Sequence, residues 1–166
     1  MSKKKNIVVF TGAGVSADSG IATFRDADGL WANYRIEEVC TPETLRNNRE
    51  KVVEFYNLRR KESLTKKPNA GHIAIAEMEQ WAEVCVITQN VDNLHERAGS
   101  SNVIHLHGEL AKVTSSDDKN NPDCIKELPL DVPICIGDKA VDGSQLRPYI
   151  VWFGEYVSGF DKAVEV

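Results

Sequence analysis

Ile7-Val8-Val9-Phe10-Thr11-Gly12-Ala13-Gly14-Val15-Ser16-Ala17-Asp18-Ser19-Gly20-Ile21-Ala22-Thr23-Phe24-Arg25 is the stretch that decides the fold. It opens with four apolar residues, three of them β-branched, which reads as a buried parallel strand. Gly12 and Gly14 follow, leaving backbone room and permitting unusual φ/ψ values in a tight turn. Ser16, Asp18 and Ser19 then supply helix-start chemistry. A strand, a glycine turn and a helix N-terminus in succession make an anion site, because free N–H groups and the positive end of the helix face the same point. A dinucleotide pyrophosphate is its natural occupant. Ala17 completes a Gly-x-Gly-x-x-Ala pattern, but alone that pattern is equally an ordinary strand–helix connection.

Around this stretch, 166 residues with 42% hydrophobic content and a net charge of −5 describe one globular domain, or one carrying a small inserted lobe. The acidic balance argues against a broad nucleic-acid surface. No apolar run approaches the roughly 18 residues of a membrane helix, and nothing resembles a signal peptide, so the expected compartment is the cytoplasm. Cys40, Cys85, Cys124 and Cys135 are scattered, with no Cys-x-x-Cys pair, and Cys85 reads as a buried thiol.

Downstream, residues 26–31 read as a loop anchored by Trp31, and residues 35–64 as helical. Thr41-Pro42-Glu43 is a helix start, with Thr41 as cap and Pro42 at the first position. A further helix over about 48–63 buries Val52, Val53, Phe55, Tyr56 and Leu58 and turns Arg49, Lys51, Arg60 and Lys61 outward. Tyr56 and Arg59, three apart, share a face and have the donors to bind a carboxylate. From the spacing alone an exposed helix with Arg59 paired to a nearby glutamate is the favoured reading. Asn69 caps a helix whose inward face is Ile73, Ile75, Ala76, Met78 and Trp81, with His72 a polar residue at its start. Val84–Thr88 is a second strand. Gln89, Asn90 and Asp92 sit at its C-terminal end, where open α/β sheets bind ligands, although Asn90 or Asp92 also suits a helix cap. Val103–Leu110 reads as a third strand. His105 and His107 alternate onto one face of it, and a histidine at a strand end next to Gly108 suits general-base chemistry.

The run from Gly12 to Arg25 resembles the cofactor loop of the sirtuins, the NAD-dependent protein deacylases. Four further segments resemble the same family: Pro68–His72, Thr88–His95, His105–Glu109 and Leu146–Glu155. The resemblance implies an α/β fold, a Rossmann-like parallel sheet incomplete at its C-terminus, with strands at 6–11, 84–88, 103–106 and 150–153. One domain over 1–166 is expected, with Rossmann parts at about 1–28, 69–112 and 147–166 and small-lobe insertions at about 29–68 and 113–146. The chain would hold the N-terminal part of a longer family fold.

By that resemblance NAD would be bound by Gly12, Ala13, Gly14, Ala17, Thr23, Phe24, Arg25, Gln89, Asn90 and Asp92. His107 would be the catalytic base, with Asn90 beside it in catalysis. Val151, Trp152, Phe153 and Gly154 would pair with the substrate peptide as an added strand. Tyr56 and Arg59 resemble the pair that grips the carboxylate of succinyl and malonyl groups, and Cys40 stands where that subclass has alanine. The implied reaction removes acyl groups from protein lysine, giving nicotinamide and O-acyl-ADP-ribose. Many sirtuins hold a structural zinc on two cysteine pairs. Here serine occupies the first of those positions, in Lys112–Ser116, and Cys124 and Cys135 alone do not make a tetrahedral site, so no zinc is expected. Pro122, Pro129 and Pro133, with Ile125, Leu128, Leu130, Val132, Ile134 and Ile136, would hold that lobe instead. A Rossmann oxidoreductase, or a binding module without turnover, remains a separate reading.

Overall fold

A computed structural model of the chain describes residues 4–22 and 34–166. Thr23, Phe24, Arg25 and the loop at 26–31 lie outside the described residues. β1 (Lys5–Thr11), β2 (Ala82–Thr88) and β3 (Val103–His105) form a parallel sheet in the order β1-β2-β3, with Ile7 opposite Val84 and Thr88 between Thr11 and His105. One face of the sheet, carrying Ile7, Val9, Val84 and Val86, packs under Ile75 of α5 (Ala70–Glu77) and Met78 of the short turn after it. The other face, through Cys85, Ile87 and Ile104, meets Val157 and Ala163 of α7 (Gly159–Val164).

Two expectations about this layer change. β1 is an edge strand, not a buried one: Val8 and Phe10 are 51% and 62% exposed, because α7 covers the sheet only over β2 and β3. Along α5 and the turn after it the inward stripe runs through His72, Ile75 and Met78, leaving Ile73 and Trp81 exposed.

The second layer is helical and antiparallel. α2 (Ile36–Val39) and α3 (Pro42–Asn47) lead into α4 (Arg49–Thr65). Thr41 caps α3 by accepting from the Thr44 N–H at 3.2 Å, and Pro42 begins the helix, as the sequence indicates. α4 divides two cores. Val52, Phe55 and Tyr56 pack with Val39, Leu45, Leu110, Ile150 and Trp152, while Val53 packs with Val113, Cys124, Ile134 and Leu146. Each such fully buried side chain contributes about 1.5–3 kcal/mol. β4 (Gly108–Ser115), β5 (Lys126–Glu127) and β6 (Leu146–Ile150) form an antiparallel sheet in the order β5-β4-β6.

This arrangement corrects the strand readings. Val103–Leu110 is not one strand: it breaks at Leu106–His107, and the halves join different sheets. Gly108 makes the corner with φ +81°, where a Cβ would lie 2.0 Å from the Tyr149 carbonyl oxygen, so no other residue fits. The segment at 150–153 is not a parallel strand either. The strand is Leu146–Ile150, antiparallel to β4, and 151–154 is irregular.

Arg60 does not point outward. It is 1% exposed and donates to the carbonyls of Leu110, Leu128, Pro129 and Val132. Those carbonyls face inward, and a guanidinium has enough donors to serve several at once. Leu58, by contrast, is 38% exposed. In the lobe beyond β4, Ile134 and Cys124 carry the burial while Val132 and Ile136 are exposed. Ser115 closes that lobe, donating to Asp142 Oδ2 at 2.5 Å and meeting Ser144 Oγ at 2.9 Å.

Candidate active site

The C-terminal ends of β1 and β2 open onto a cleft of about 490 Å3, within the usual range for ligand sites. The glycine turn forms its floor. Neither Gly12 nor Gly14 has positive φ, so conformational freedom is not their use here. Gly12 lies against Gln89, where a Cβ would come within 3.4 Å of Oε1, and Gly14 faces open space. α1 (Gly14–Ala17) is a single turn with no side-chain cap. Ser16, read from sequence as helix-start chemistry, is instead buried at the centre of a hydrogen-bond cluster.

That cluster is densely bonded around Ser16. The Asn69 N–H donates to His72 Nδ1 at 3.3 Å, which makes Nδ1 an acceptor and puts the ring proton of neutral His72 on Nε2. Nε2 then faces Ser16 Oγ at 3.4 Å. Ser16 Oγ also accepts from Asn90 Nδ2 at 3.0 Å and donates to Asp92 Oδ2 at 3.1 Å. Asp92 does two things, since its Oδ1 also accepts from the Leu94 N–H at the start of α6 (Leu94–Ala98). Asn90 caps nothing with its side chain. Behind them His95 Nε2 bonds Thr11 Oγ1 at 3.0 Å, and the His72 and His95 rings meet edge to face, 4.8 Å apart. Burial pushes both imidazoles below their ordinary value, with Asp92 opposing.

His107 stands at the break between β3 and β4. Its Nδ1 lies 3.0 Å from the Gln89 carbonyl, which can only accept, so Nδ1 carries the proton and Nε2 keeps its lone pair. A neutral imidazole held this way at the cleft wall is a proton acceptor.

The opposite wall is α4 and the irregular stretch after β6. Tyr56, Arg59 and Cys40 line it together with Val151, Trp152, Phe153 and Gly154. Trp152 Nε1 donates to Tyr56 Oη at 2.7 Å, and Cys40 Sγ lies 3.5 Å from the same oxygen. The Arg59 guanidinium is 5.8 Å from the Tyr56 ring centre. Burial raises the Tyr56 phenol and the Cys40 thiol, so both keep their protons near neutrality. The amides of Val151 and Phe153 donate to His107 O and Cys40 O, and that of Trp152 to Glu155 Oε2. Ser63 Oγ, also on the lining, has no hydrogen-bond partner among the described residues.

All the sequence candidates among the described residues except Gly12, Gly14 and Ala17 line this one cleft, and those three belong to the turn beneath it. Sequence reasoning missed Ser16, His72 and His95 as site residues. Their signal was spacing to a polar strand end 70 or more residues from Ser16, which only the parallel pairing of β1 with β2 brings near.

The Sir2 family model matches residues 12–166. A Bacteroides thetaiotaomicron protein named NAD-dependent protein deacylase is 60% identical over 161 residues, 96% of this chain and 69% of that protein. A Sir2 homologue mutant in complex with ADP ribose matches with a TM-score of 0.83 at 43% identity, covering 98% of this chain and 66% of its own. A Sir2 homologue–NAD complex matches with a TM-score of 0.81 at 44% identity, over 98% and 64%. The chain spans about two thirds of the length of each.

Proposed function

The chain belongs to the Sir2 family, and from that premise we propose that it is an NAD-dependent deacylase of protein lysine, acting on acetyl and on acidic acyl groups such as succinyl and malonyl. The observation that carries this reading is the meeting of Asn90, Asp92 and His107 with Tyr56 and Arg59 in one cleft. The donor set suits NAD: a glycine turn with open space at Gly14, fixed amide and carboxylate groups, and a buried Ser63 hydroxyl without a partner among the described residues. Gly12, Ala13 and Gly14 would hold the phosphates, with Ala17, Thr23, Phe24, Arg25 and Gln89 around the cofactor. When bound, NAD supplies an electrophilic ribose carbon from which nicotinamide departs, and the acyl group leaves as O-acyl-ADP-ribose.

Ser16 fixes the side chains of Asn90 and Asp92, so their polar ends need no reorganisation on binding. His107 Nε2 accepts a proton from a hydroxyl in the cleft, and the Gln89 carbonyl steadies the imidazolium so formed through Nδ1–H. Phe153 and Gly154 present the peptide wall. Tyr56 Oη, which already accepts from Trp152, has its own proton to give to a substrate carboxylate beside Arg59.

The small lobe is read as zinc-free. Cys124 is buried and Cys135 exposed. Among the described residues, the group of His, Cys, Asp or Glu side chains near enough to share an ion is Glu96, His105 and Glu109, without a cysteine. Arg60 and the Ser115–Asp142–Ser144 bonds supply the cross-links in its place. Substoichiometric metal by elemental analysis supports this, and one tightly held zinc per chain overturns it. No described helix is long and apolar enough to cross a membrane. We read the chain as cytoplasmic, with acylated protein lysines and not nucleic acid as its partners.

The deciding experiment incubates the chain with NAD and matched succinyl-lysine or acetyl-lysine peptides and measures nicotinamide. Release with both establishes the activity and the acid pocket. Release with acetyl alone discards the pocket, and release with neither overturns the assignment for this chain.

A further inference from the structure

We propose that His105 and Glu96 are a positioning pair that fixes the Gln89–Asp92 turn of the active site. This rests on the deacylase reading above. His105 closes β3 opposite Thr88 and its side chain is only 4% exposed. Nδ1 lies 2.7 Å from the Asn90 carbonyl oxygen, and Nε2 lies 2.7 Å from Glu96 Oε1 on α6. Both partners only accept, so both ring nitrogens donate and the ring is an imidazolium. Burial works against that charge. The hydrogen bond and charge of Glu96, the Asn90 carbonyl and Glu109 on β4 outweigh it and hold His105 above its ordinary value. Lys112 balances Glu109 at 2.6 Å, and His95 is the other titratable group that α6 brings near.

Two histidines therefore grip consecutive carbonyls of one turn, His107 at Gln89 and His105 at Asn90. His107 reaches the cleft, while His105 is absent from its lining. The His105 bond is charge-assisted, stronger than an ordinary amide contact, and acts on the peptide that carries Asn90. Ser16 holds the side chain of Asn90 from above and His105 its main chain from below. With the Asn90 carbonyl released, Asn90 and Asp92 lose their fixed relation to His107. Glu96 keeps the ring turned so that Nδ1 faces the carbonyl.

The test compares His105→Asn, His105→Leu, Glu96→Gln and Glu96→Ala in the full chain. Asparagine places an N–H where Nδ1 stood, and leucine does not. His105→Leu is expected to lower kcat about 10- to 100-fold while KM for the acyl-lysine peptide changes less than about twofold, and His105→Asn to stay within about threefold of the parent. Equal losses in the two variants, or an unchanged kcat in His105→Leu, overturn the proposal. Glu96 is partly exposed, so its variants fold even if His105→Leu does not. Glu96→Ala should lower kcat several-fold with recovery in Glu96→Gln, and no difference between Glu96→Ala and the parent also overturns it. Hydrogen exchange at the Asn90 and Leu94 amides, bonded to Thr88 Oγ1 and Asp92 Oδ1, is followed in parallel. If the parent releases no nicotinamide, the deacylase reading fails and exchange alone decides: faster in His105→Leu than in His105→Asn supports the pair, and equal rates refute it.

Discussion

The indole N–H of Trp152 donates to the phenol oxygen of Tyr56 across 2.7 Å, joining residues 96 positions apart. The bond occupies the acceptor side of the phenol and leaves its proton for another partner. Cys40 Sγ lies 3.5 Å from the same oxygen, a weak contact to sulfur in which either group can donate.

Replacing Tyr56 with Phe should therefore have two effects. Trp152 Nε1 is left buried without an acceptor, lowering stability by about 1–3 kcal/mol in urea denaturation. Turnover of succinyl-lysine peptide should fall well beyond that of acetyl-lysine peptide, and Arg59→Met should repeat that bias. An equal loss on both peptides rejects the carboxylate role.

His107→Ala removes the imidazole at the cleft wall whose Nδ1 is held by the Gln89 carbonyl. Nicotinamide-coupled deacylation should fall at least about 100-fold, while ADP-ribose binding by calorimetry persists. Turnover at the parent rate would assign the base elsewhere.

Arg60→Met should destabilise the chain by at least about 3 kcal/mol, because four inward carbonyls lose their donor together. Limited proteolysis should then cut first between residues 120 and 145. A urea midpoint equal to the parent would show that the guanidinium cross-links nothing.

Gly108→Ala sets a Cβ into the Tyr149 carbonyl at a left-handed corner. A loss of at least about 2 kcal/mol is expected. Gly14→Ala, which meets open space, should leave the urea midpoint within about 0.5 kcal/mol of the parent.

Acid should weaken the fold through His72 and His95. Both are held below the unfolded value near 6.5, so the unfolded chain binds more protons and stability falls as pH drops through 6.5 toward their depressed values. His105 has the opposite sign: its contribution is complete below 6.5 and is lost as pH rises through its raised value. Urea midpoints should decline from pH 7 to 5 in the parent, and less steeply in His95→Gln. Identical slopes would remove His95 from the account.

Local signals were legible wherever one residue decides one hydrogen bond. Thr41 and Asn69 cap their helices as read, and Val84–Thr88 is the central strand whose end carries the polar site. Legibility ended where the partner is far along the chain. Nothing near Arg60 announces the carbonyls at 128–132, so a cation between lysine and arginine neighbours read as solvated. Ser16 looked like helix-start chemistry because its partners, Asn90 and Asp92, are 74 and 76 residues away. The alternation of His105 and His107 suggested a single straight strand, and only the Tyr149 backbone crossing Gly108 explains why it must bend there.

That bend makes Leu106–His107 the covalent seam between the parallel and the antiparallel sheets. The Val151 amide ties the second sheet's wall to the His107 carbonyl, and Gln89 ties the first sheet's turn to the same residue's ring. A tilt of one sheet against the other would therefore pass through His107, whose ring is bonded to the turn of the first sheet and whose carbonyl is bonded to the wall of the second.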